Sequence, residues 1–218
     1  GGTRAFATGL DDPKGIAAFG ADLFVVDVTR VVRIDIAGKV TVLARPTDFP
    51  APPLFLNDVA IDRDGNVYVS DSGEVGKGGK GAVYRISPQG QVTLIVSEAQ
   101  NPAIRSPNGL LLDGRGGLLV ADFSTGELLR VDLATRAVER LGDGFGAADG
   151  LALDAEGRLY VSDWKGGQVW QWEPGRSGAK PKRYDRTFGA AADITLTADG
   201  RHILVPDMKA GILYWLPR

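Results

Sequence analysis

The 218-residue sequence contains no cysteine and a single histidine, His202. The absence of cysteine excludes disulfide bonds and thiolate metal sites, although it does not select a cellular compartment. His202 is predicted to face solvent at the start of a strand, so Ser70, Ser124 and Ser162 have no histidine to activate them. A serine–histidine–acid hydrolase is therefore excluded.

The chain also lacks a long apolar run and an excess of either charge. No apolar segment approaches the ~20 residues of a membrane-spanning helix, so we expect no membrane partner. Its 25 basic and 27 acidic residues give a net charge of −2. That balance does not provide the basic surface that nucleic acid requires. The compartment and the oligomeric state stay open.

What the sequence does contain is a repeated unit, clearest between residues 147 and 163. An apolar strand, a tight turn at Glu156-Gly157 and a second apolar strand lead to Asp163. Related units occur four more times, 41 to 51 residues apart. A repeat of this length is typical of propeller blades. Each unit begins with a polar "opening residue" and ends with a "closing aspartate". The opening residues are Lys14, Asn57, Asn108, Asp149 and Asp193, and the closing aspartates are Asp27, Asp71, Asp122, Asp163 and Asp207.

The repeat predicts an all-β fold, a single propeller domain over residues 1–218 built from four-stranded antiparallel blades. Five blades are favoured, and a six-bladed parent with a missing blade is the alternative. The fifth unit has only three predicted strands, and a lone strand is predicted at residues 4–7. We expect this amino-terminal strand to join the last blade and close the ring, which would remove an exposed sheet edge. The proline-rich segment 46–53 is predicted to be an extended lid or spacer on the surface.

In a propeller, the start of each first strand and the end of each second strand lie at the same rim of the central channel. The opening residues are therefore predicted to form an inner ring at the channel mouth, with the closing aspartates further out. Because the closing position is always aspartate, it is predicted to cap turns by accepting backbone N–H bonds. The opening position varies between units, as a binding site does.

The inner ring combines two carboxylates, two amides and one lysine. Hard oxygen ligands of this kind suit Ca²⁺ or Mg²⁺ better than a tetrahedral zinc centre. The alternative is that the ring only keeps a wet channel polar, with waters as its partners. Trp164 follows Asp163 at the predicted mouth, where its ring could stack on a substrate.

Several motifs resemble the senescence marker protein, gluconolactonase and luciferin-regenerating-enzyme family, over about residues 3–218. The motifs are Phe55-Leu56-Asn57-Asp58-Val59-Ala60, Ser106-Pro107-Asn108-Gly109-Leu110, Asp149-Gly150-Leu151, Val161-Ser162-Asp163-Trp164 and Ala192-Asp193-Ile194. The resemblance implies a six-bladed propeller that hydrolyses lactones and related esters with a divalent metal in its channel. It implies that Asn108 and Asp149 are metal ligands, that Asn57 contacts substrate or metal-bound water, and that Asp149 transfers protons.

One feature of that family has no counterpart here. The resemblance implies a glutamate ligand in a blade ahead of Pro13-Lys14-Gly15, and this chain has no such blade; Asp193 is a possible substitute.

The leading hypothesis is a hydrolase of a small lactone or ester, with a divalent metal held by Asn108 and Asp149. Ca²⁺ is the first choice, and Mg²⁺, Mn²⁺ and Zn²⁺ are alternatives. Asp149 and Asp193 are the candidate catalytic residues, and Asn57, Lys14 and Trp164 are the candidate substrate-binding residues. The competing hypothesis is a propeller scaffold or ligand-binding protein without a metal site.

Overall fold

The computed structural model describes residues 4–174 and 180–218, and this part of the chain consists of β-strands with one short 3₁₀ helix, Pro46–Asp48. The strands form five antiparallel sheets in which consecutive strands are neighbours. These sheets are the blades of a β-propeller, so the predicted all-β class with five blades is confirmed. No helix among the described residues is long and apolar enough to cross a membrane.

The chain divides into two compact units, Gly1–Ser106 and Pro107–Arg218. The first unit contains two four-stranded sheets. Sheet 1 consists of β1 (Pro13–Phe19), β2 (Asp22–Asp27), β3 (Arg30–Ile34) and β4 (Val40–Ala44). Sheet 2 consists of β5 (Leu56–Ile61), β6 (Val67–Asp71), β7 (Ala82–Ile86) and β8 (Val92–Ser97). Apolar side chains of the two sheets, such as Val26, Leu56 and Tyr84, pack into one buried cluster.

The second unit contains three sheets. Sheet 3 consists of β9 (Pro107–Leu112), β10 (Gly117–Asp122), β11 (Glu127–Asp132) and β12 (Val138–Gly142). Sheet 4 consists of β13 (Ala148–Leu153), β14 (Leu159–Asp163), β15 (Gln168–Trp172) and β16 (Lys182–Arg183). Sheet 5 has three described strands, β17 (Thr195–Leu196), β18 (His202–Asp207) and β19 (Ile212–Pro217). Two buried clusters, one between sheets 3 and 4 and one between sheets 4 and 5, form the core of this unit.

In sheets 2, 3 and 4 the turn between the first two strands follows from an Asp-x-x-Gly pattern. Asp154 accepts bonds from the backbone N–H groups of Glu156 and Arg158 at 3.0 and 2.8 Å. Gly157 takes a φ of +81°, a left-handed conformation that costs glycine little. Asp62 and Gly65 repeat this arrangement in sheet 2. The local sequence therefore fixes these turns.

The first strand of each four-stranded sheet is irregular at its opening residue. In β13 the pairing with β14 shifts between Ala148 and Leu151, so the irregularity falls on Asp149-Gly150. In β9 the same shift falls on Asn108-Gly109. A β-bulge breaks the alternation of the strand and re-aims a side chain, and such bulges are common beside functional sites. The sequence repeat thus places its variable residue where the strand is bent.

A glycine next to the opening residue allows adjacent sheets of the second unit to approach each other. A Cβ atom on Gly109 would collide with the backbone carbonyl of Asp149. A Cβ atom on Gly150 would collide with the carboxylate of Asp193 and the backbone N of Ile194. Glycine is therefore required at both positions, and it brings the opening residues of sheets 3, 4 and 5 together in sequence order.

The predicted closure of the ring by an amino-terminal strand is corrected by the structure. Residues 4–7 form no strand, and sheet 5 has three described strands. Ala7 and Leu10 instead pack against the buried Val25, Val32 and Ile34 of sheet 1. Gly9, with a φ of +83°, interrupts the extended chain between them. This packing partly buries Ala7 and Leu10 and holds the segment against sheet 1.

Candidate functional site

Asn108, Asp149 and Asp193 form a polar cluster on three successive sheets of the second unit. Asn108 lies on β9 and is only 4% exposed, Asp149 lies on β13, and Asp193 lies two residues before β17 begins. The Asn108 side chain forms a hydrogen bond with the Asp149 carboxylate, which in turn interacts electrostatically with Asp193. The structure therefore brings together three of the five predicted opening residues.

The two carboxylates of this cluster are strained electrostatically. Burial, and secondarily the charge of Asp193, raises the pKa of Asp149 to about 8, although the Asn108 hydrogen bond opposes this change. Burial also raises the pKa of Asp193 to about 6, opposed by the backbone N–H of Ile194. Two interacting acids titrate as a pair, so together they hold one proton and one negative charge near neutral pH. Both residues keep partial contact with solvent.

No lysine, arginine or histidine forms an ion pair with Asp149 or Asp193 in the part of the chain that the structure describes. Within residues 4–174 and 180–218, no group of three or more histidine, cysteine, aspartate and glutamate side chains is arranged to hold a metal. The cluster therefore consists of two carboxylates and one amide. Carboxylates withdrawn from most of the solvent and without a cationic partner are costly, and such groups often mark a functional site.

The bent strand that carries Asp149 is held by a serine from the neighbouring strand. The Ser162 hydroxyl on β14 accepts a hydrogen bond from the backbone N–H of Gly150 at 2.8 Å. In sheet 2 the Ser70 hydroxyl accepts from Asp58 at 2.9 Å in the same way. Both serines are fully buried. These serines satisfy a backbone donor that the bulge leaves without a strand partner, so their role is structural.

The closing aspartates act as the sequence predicted, as acceptors for backbone N–H groups. Asp163 accepts from Ala147 and Gly166, each at 2.9 Å, and Asp207 accepts from Gly189 at 2.7 Å. The five carboxylates thereby tie the incoming segment or the following turn to the end of the second strand. The other three aspartates and their backbone donors are Asp27 with Asp11 and Asp12, Asp71 with Leu54, Phe55 and Gly73, and Asp122 with Ser124 and Thr125.

The remaining opening residues, Lys14 and Asn57, belong to the first unit. The Lys14 ammonium donates to Asp12 at 2.6 Å and lies 5.6 Å from the centre of the Phe55 ring. The Asn57 amide donates to the Ser72 hydroxyl at 3.1 Å. The substrate-binding roles predicted for these two residues stay predictions.

Trp164 is partly exposed and has an aromatic neighbour that the sequence did not single out. Its ring centre lies 6.2 Å from that of Phe123, and the planes are inclined at 55°. The Lys209 ammonium lies 5.5 Å from the centre of the Trp164 ring, and the Lys165 ammonium lies 5.3 Å from that of Phe123. All four residues follow a closing aspartate by one or two positions, and this common offset is the signal that could have identified them.

The strand order and the repeated opening and closing positions define a β-propeller protein with a polar cluster at the start of its sheets. The sequence matches the family described as "SMP-30/Gluconolactonase/LRE-like region" over residues 5–204, and the chain belongs to this family. No curated protein sequence matches it significantly.

Two solved structures resemble the chain. Regucalcin from Agrobacterium tumefaciens, described as a calcium-binding protein, has 21% identity and a TM-score of 0.71, over 94% of this chain and 74% of its own. A streptogramin B lyase has 14% identity and a TM-score of 0.68, over 97% of this chain and 71% of its own. At these identities the likeness establishes the fold alone.

Proposed function

We propose that the chain is a divalent-metal-dependent hydrolase of a small lactone or ester, with its site at Asn108, Asp149 and Asp193. The observation that carries this proposal is the pair of interacting carboxylates without a cationic partner, joined by the Asn108 amide. Membership of the family supports it, because gluconolactonase is one of the proteins that give the family its name.

The donor set fits a hard divalent cation. Two carboxylates and an amide oxygen are the ligand types that Ca²⁺ and Mg²⁺ take, and there is no thiolate or imidazole among them. We assign Asn108 and Asp149 as ligands, with Asp193 as the third oxygen ligand in place of a glutamate. Ca²⁺ is the first candidate, and Mg²⁺, Mn²⁺ and Zn²⁺ follow. When bound, the cation would supply charge that polarises the substrate carbonyl.

The residues of the chain provide the proton transfer. With the cation bound, both carboxylates are ionised, so Asp149 or Asp193 accepts a proton from the attacking water and then returns that proton to the leaving oxygen. Asn108 holds Asp149 in place through its hydrogen bond. The Ser162 bond to Gly150 fixes the bent strand on which Asp149 lies. Trp164 provides an apolar surface for the substrate.

The competing function is ligand binding without turnover. The specific observation in its favour is the small ligand set, because the described residues contain no group of three or more acidic, histidine or cysteine side chains arranged for a metal. Under this alternative the cluster binds a polar ligand directly, and its carboxylates take part in no reaction.

Hydrolysis assays with a panel of lactones and carboxylic esters distinguish the proposed metal-dependent hydrolase from ligand binding without turnover. The purified protein is assayed with Ca²⁺, Mg²⁺, Mn²⁺ or Zn²⁺ and again after treatment with a chelator. We expect hydrolysis of at least one lactone that is lost with the chelator and restored by one of the cations. Ligand binding without hydrolysis under every condition would favour the competing function.

A further inference from the structure

We propose that Phe123, Trp164, Lys165 and Lys209 form a recognition subsite for the anionic group of the substrate, a carboxylate or a phosphate attached to an apolar or planar body. The inference deepens the proposed function because it specifies the class of substrate. It concerns binding, so it can be tested without turnover.

The subsite lies at the same end of the sheets as the polar cluster. Asp122, which precedes Phe123, pairs with Pro107, the residue before Asn108. Asp163, which precedes Trp164, pairs with Ala148, the residue before Asp149. Lys209 follows Asp207, which forms a bridge with Ala191, two residues before Asp193. Each sheet of the second unit therefore contributes one residue to the cluster and at least one to the subsite.

The four side chains are positioned to receive a ligand rather than to fill the core. Phe123 and Trp164 are partly exposed, and Lys165 and Lys209 are exposed. Each ammonium lies over or beside one ring, at 5.3 Å from Phe123 and 5.5 Å from Trp164. The rings offer apolar contact area with little side-chain entropy to lose, and the cations hold their places through attraction to the ring faces.

The charges of the subsite are not neutralised by neighbours. Neither Lys165 nor Lys209 forms an ion pair within the described residues, whereas Lys14 and Lys80 are paired with Asp12 and Glu74. The nearby closing aspartates have their carboxylate oxygens engaged by backbone donors. Two unpaired ammonium groups beside two aromatic rings match a small molecule with an apolar body and a negative charge.

The test uses a matched set of small probes: benzoate, phenyl phosphate and neutral benzamide. Each is titrated at low ionic strength without added metal, and binding is followed by the NMR signal of the Trp164 indole N–H, assigned with Trp164→Phe. We expect both anions to shift this signal and to bind more tightly than benzamide. Whichever anion binds more tightly identifies the anionic group.

The variants isolate the contribution of the lysines. We expect K165Q/K209Q to weaken binding of the preferred anion by about tenfold and to leave benzamide within about twofold, because only the Coulomb attraction is lost. Lys182→Gln, at an exposed lysine on β16, is the matched control and should change neither affinity. Equal affinity for benzoate, phenyl phosphate and benzamide, or unchanged anion binding in the double variant, would overturn the proposal. Failure of every lactone to hydrolyse would count against the proposed function and not against this subsite.

Discussion

The closing aspartates and the Asp149–Asp193 pair are the same residue type in two opposite environments. Burial alone would raise the pKa of Asp27, but the backbone N–H groups of Asp11 and Asp12 and the guanidinium of Arg30 lower it overall. Burial, and secondarily the charge of Asp193, raises the pKa of Asp149 to about 8, because only the Asn108 hydrogen bond opposes them. Folding therefore favours the charged form of Asp27 and the neutral form of Asp149.

The comparison separates aspartates that stabilise the fold from a pair of aspartates whose charge the fold does not stabilise. When several backbone N–H groups donate to a carboxylate, these hydrogen bonds offset the free energy that its burial costs. A carboxylate placed against another carboxylate does not recover that free energy. At high pH, where both are ionised, the fold is less stable than it would be with a neutral isostere at one of the two positions. The predictions below exploit this contrast, in order of decreasing expected effect.

The largest effect is expected for Asp149→Ala. If the site is catalytic, loss of this carboxylate removes a metal ligand and a proton-transfer group, so kcat/KM should fall by at least about 100-fold. The melting temperature should stay the same or rise, because a strained charge is removed. Steady-state kinetics and thermal unfolding monitored by circular dichroism measure both quantities. Full activity in the variant would remove Asp149 from the site.

The matched structural variant is Asp163→Ala, in the same sheet. Its loss leaves the backbone N–H groups of Ala147 and Gly166 without their acceptor. We expect the free energy of unfolding in urea to fall by about 2–4 kcal/mol. Asp163→Asn, which keeps one acceptor oxygen, should lose roughly half as much. A variant as stable as the parent would mean that the closing aspartates do not hold the sheets together.

The pH dependence of the free energy of unfolding distinguishes the Asp149–Asp193 pair from the closing aspartates in one experiment. The folded-state pKa values of Asp149 and Asp193 lie above the ordinary value of 3.8, so the folded state binds more protons than the unfolded state between about pH 4 and pH 8. Their contribution to stability therefore falls as the pH rises across that window. Asp27 and Asp207 have lowered pKa values, so their contribution is present above pH 3.8 and is lost as the pH falls below it.

Urea titrations at several pH values measure this dependence. In Asp149→Asn the decline between pH 4 and pH 8 should be reduced, while the loss of stability below pH 3.8 should be unchanged. An unaltered decline in this variant would show that the pair is not strained in the folded state.

The smallest effect is expected for Asp199→Ala. Asp199 also has a lowered pKa, caused first by the Thr197 hydroxyl and then by the backbone N–H of Arg201, but it lies on an exposed turn. We expect the melting temperature to change by less than about 2 °C. A drop comparable to that of Asp163→Ala would show that burial does not distinguish the two kinds of aspartate.

Much of this architecture follows from the sequence. The spacing of the opening residues and closing aspartates predicted the strand pairs of all five sheets, and the invariance of the closing position predicted its backbone-capping role. Both are local properties, since strand alternation and Asp–Gly turns depend on neighbouring residues. The same regularity predicted that Asn108, Asp149 and Asp193 occupy equivalent positions on successive sheets.

Features that depend on long-range packing could not be predicted in this way. Residues 4–7 were expected to be a strand, but Ala7 and Leu10 find an apolar surface on sheet 1. The proline-rich segment 46–53 was expected to be an extended lid or spacer on the surface, yet it contains a 3₁₀ helix and buries Phe49 edge-to-face against Tyr84, with ring centres 5.0 Å apart. Phe123, Lys165 and Lys209 each follow a closing aspartate by one or two positions, but that offset alone does not predict the ring and cation contacts that the structure shows.

The central claim is that Asp149, Asp193 and Asn108 form a cation site. Isothermal titration calorimetry with Ca²⁺ at pH 7, repeated in two buffers of different ionisation enthalpy, tests it most directly. Binding of a cation to the pair must displace their shared proton, so we predict saturable binding with release of up to about one proton, a higher melting temperature with bound Ca²⁺, and the loss of all three in D149N/D193N. No binding and an unchanged melting temperature at millimolar Ca²⁺, Mg²⁺, Mn²⁺ and Zn²⁺ would contradict the account and leave the cluster without a metal.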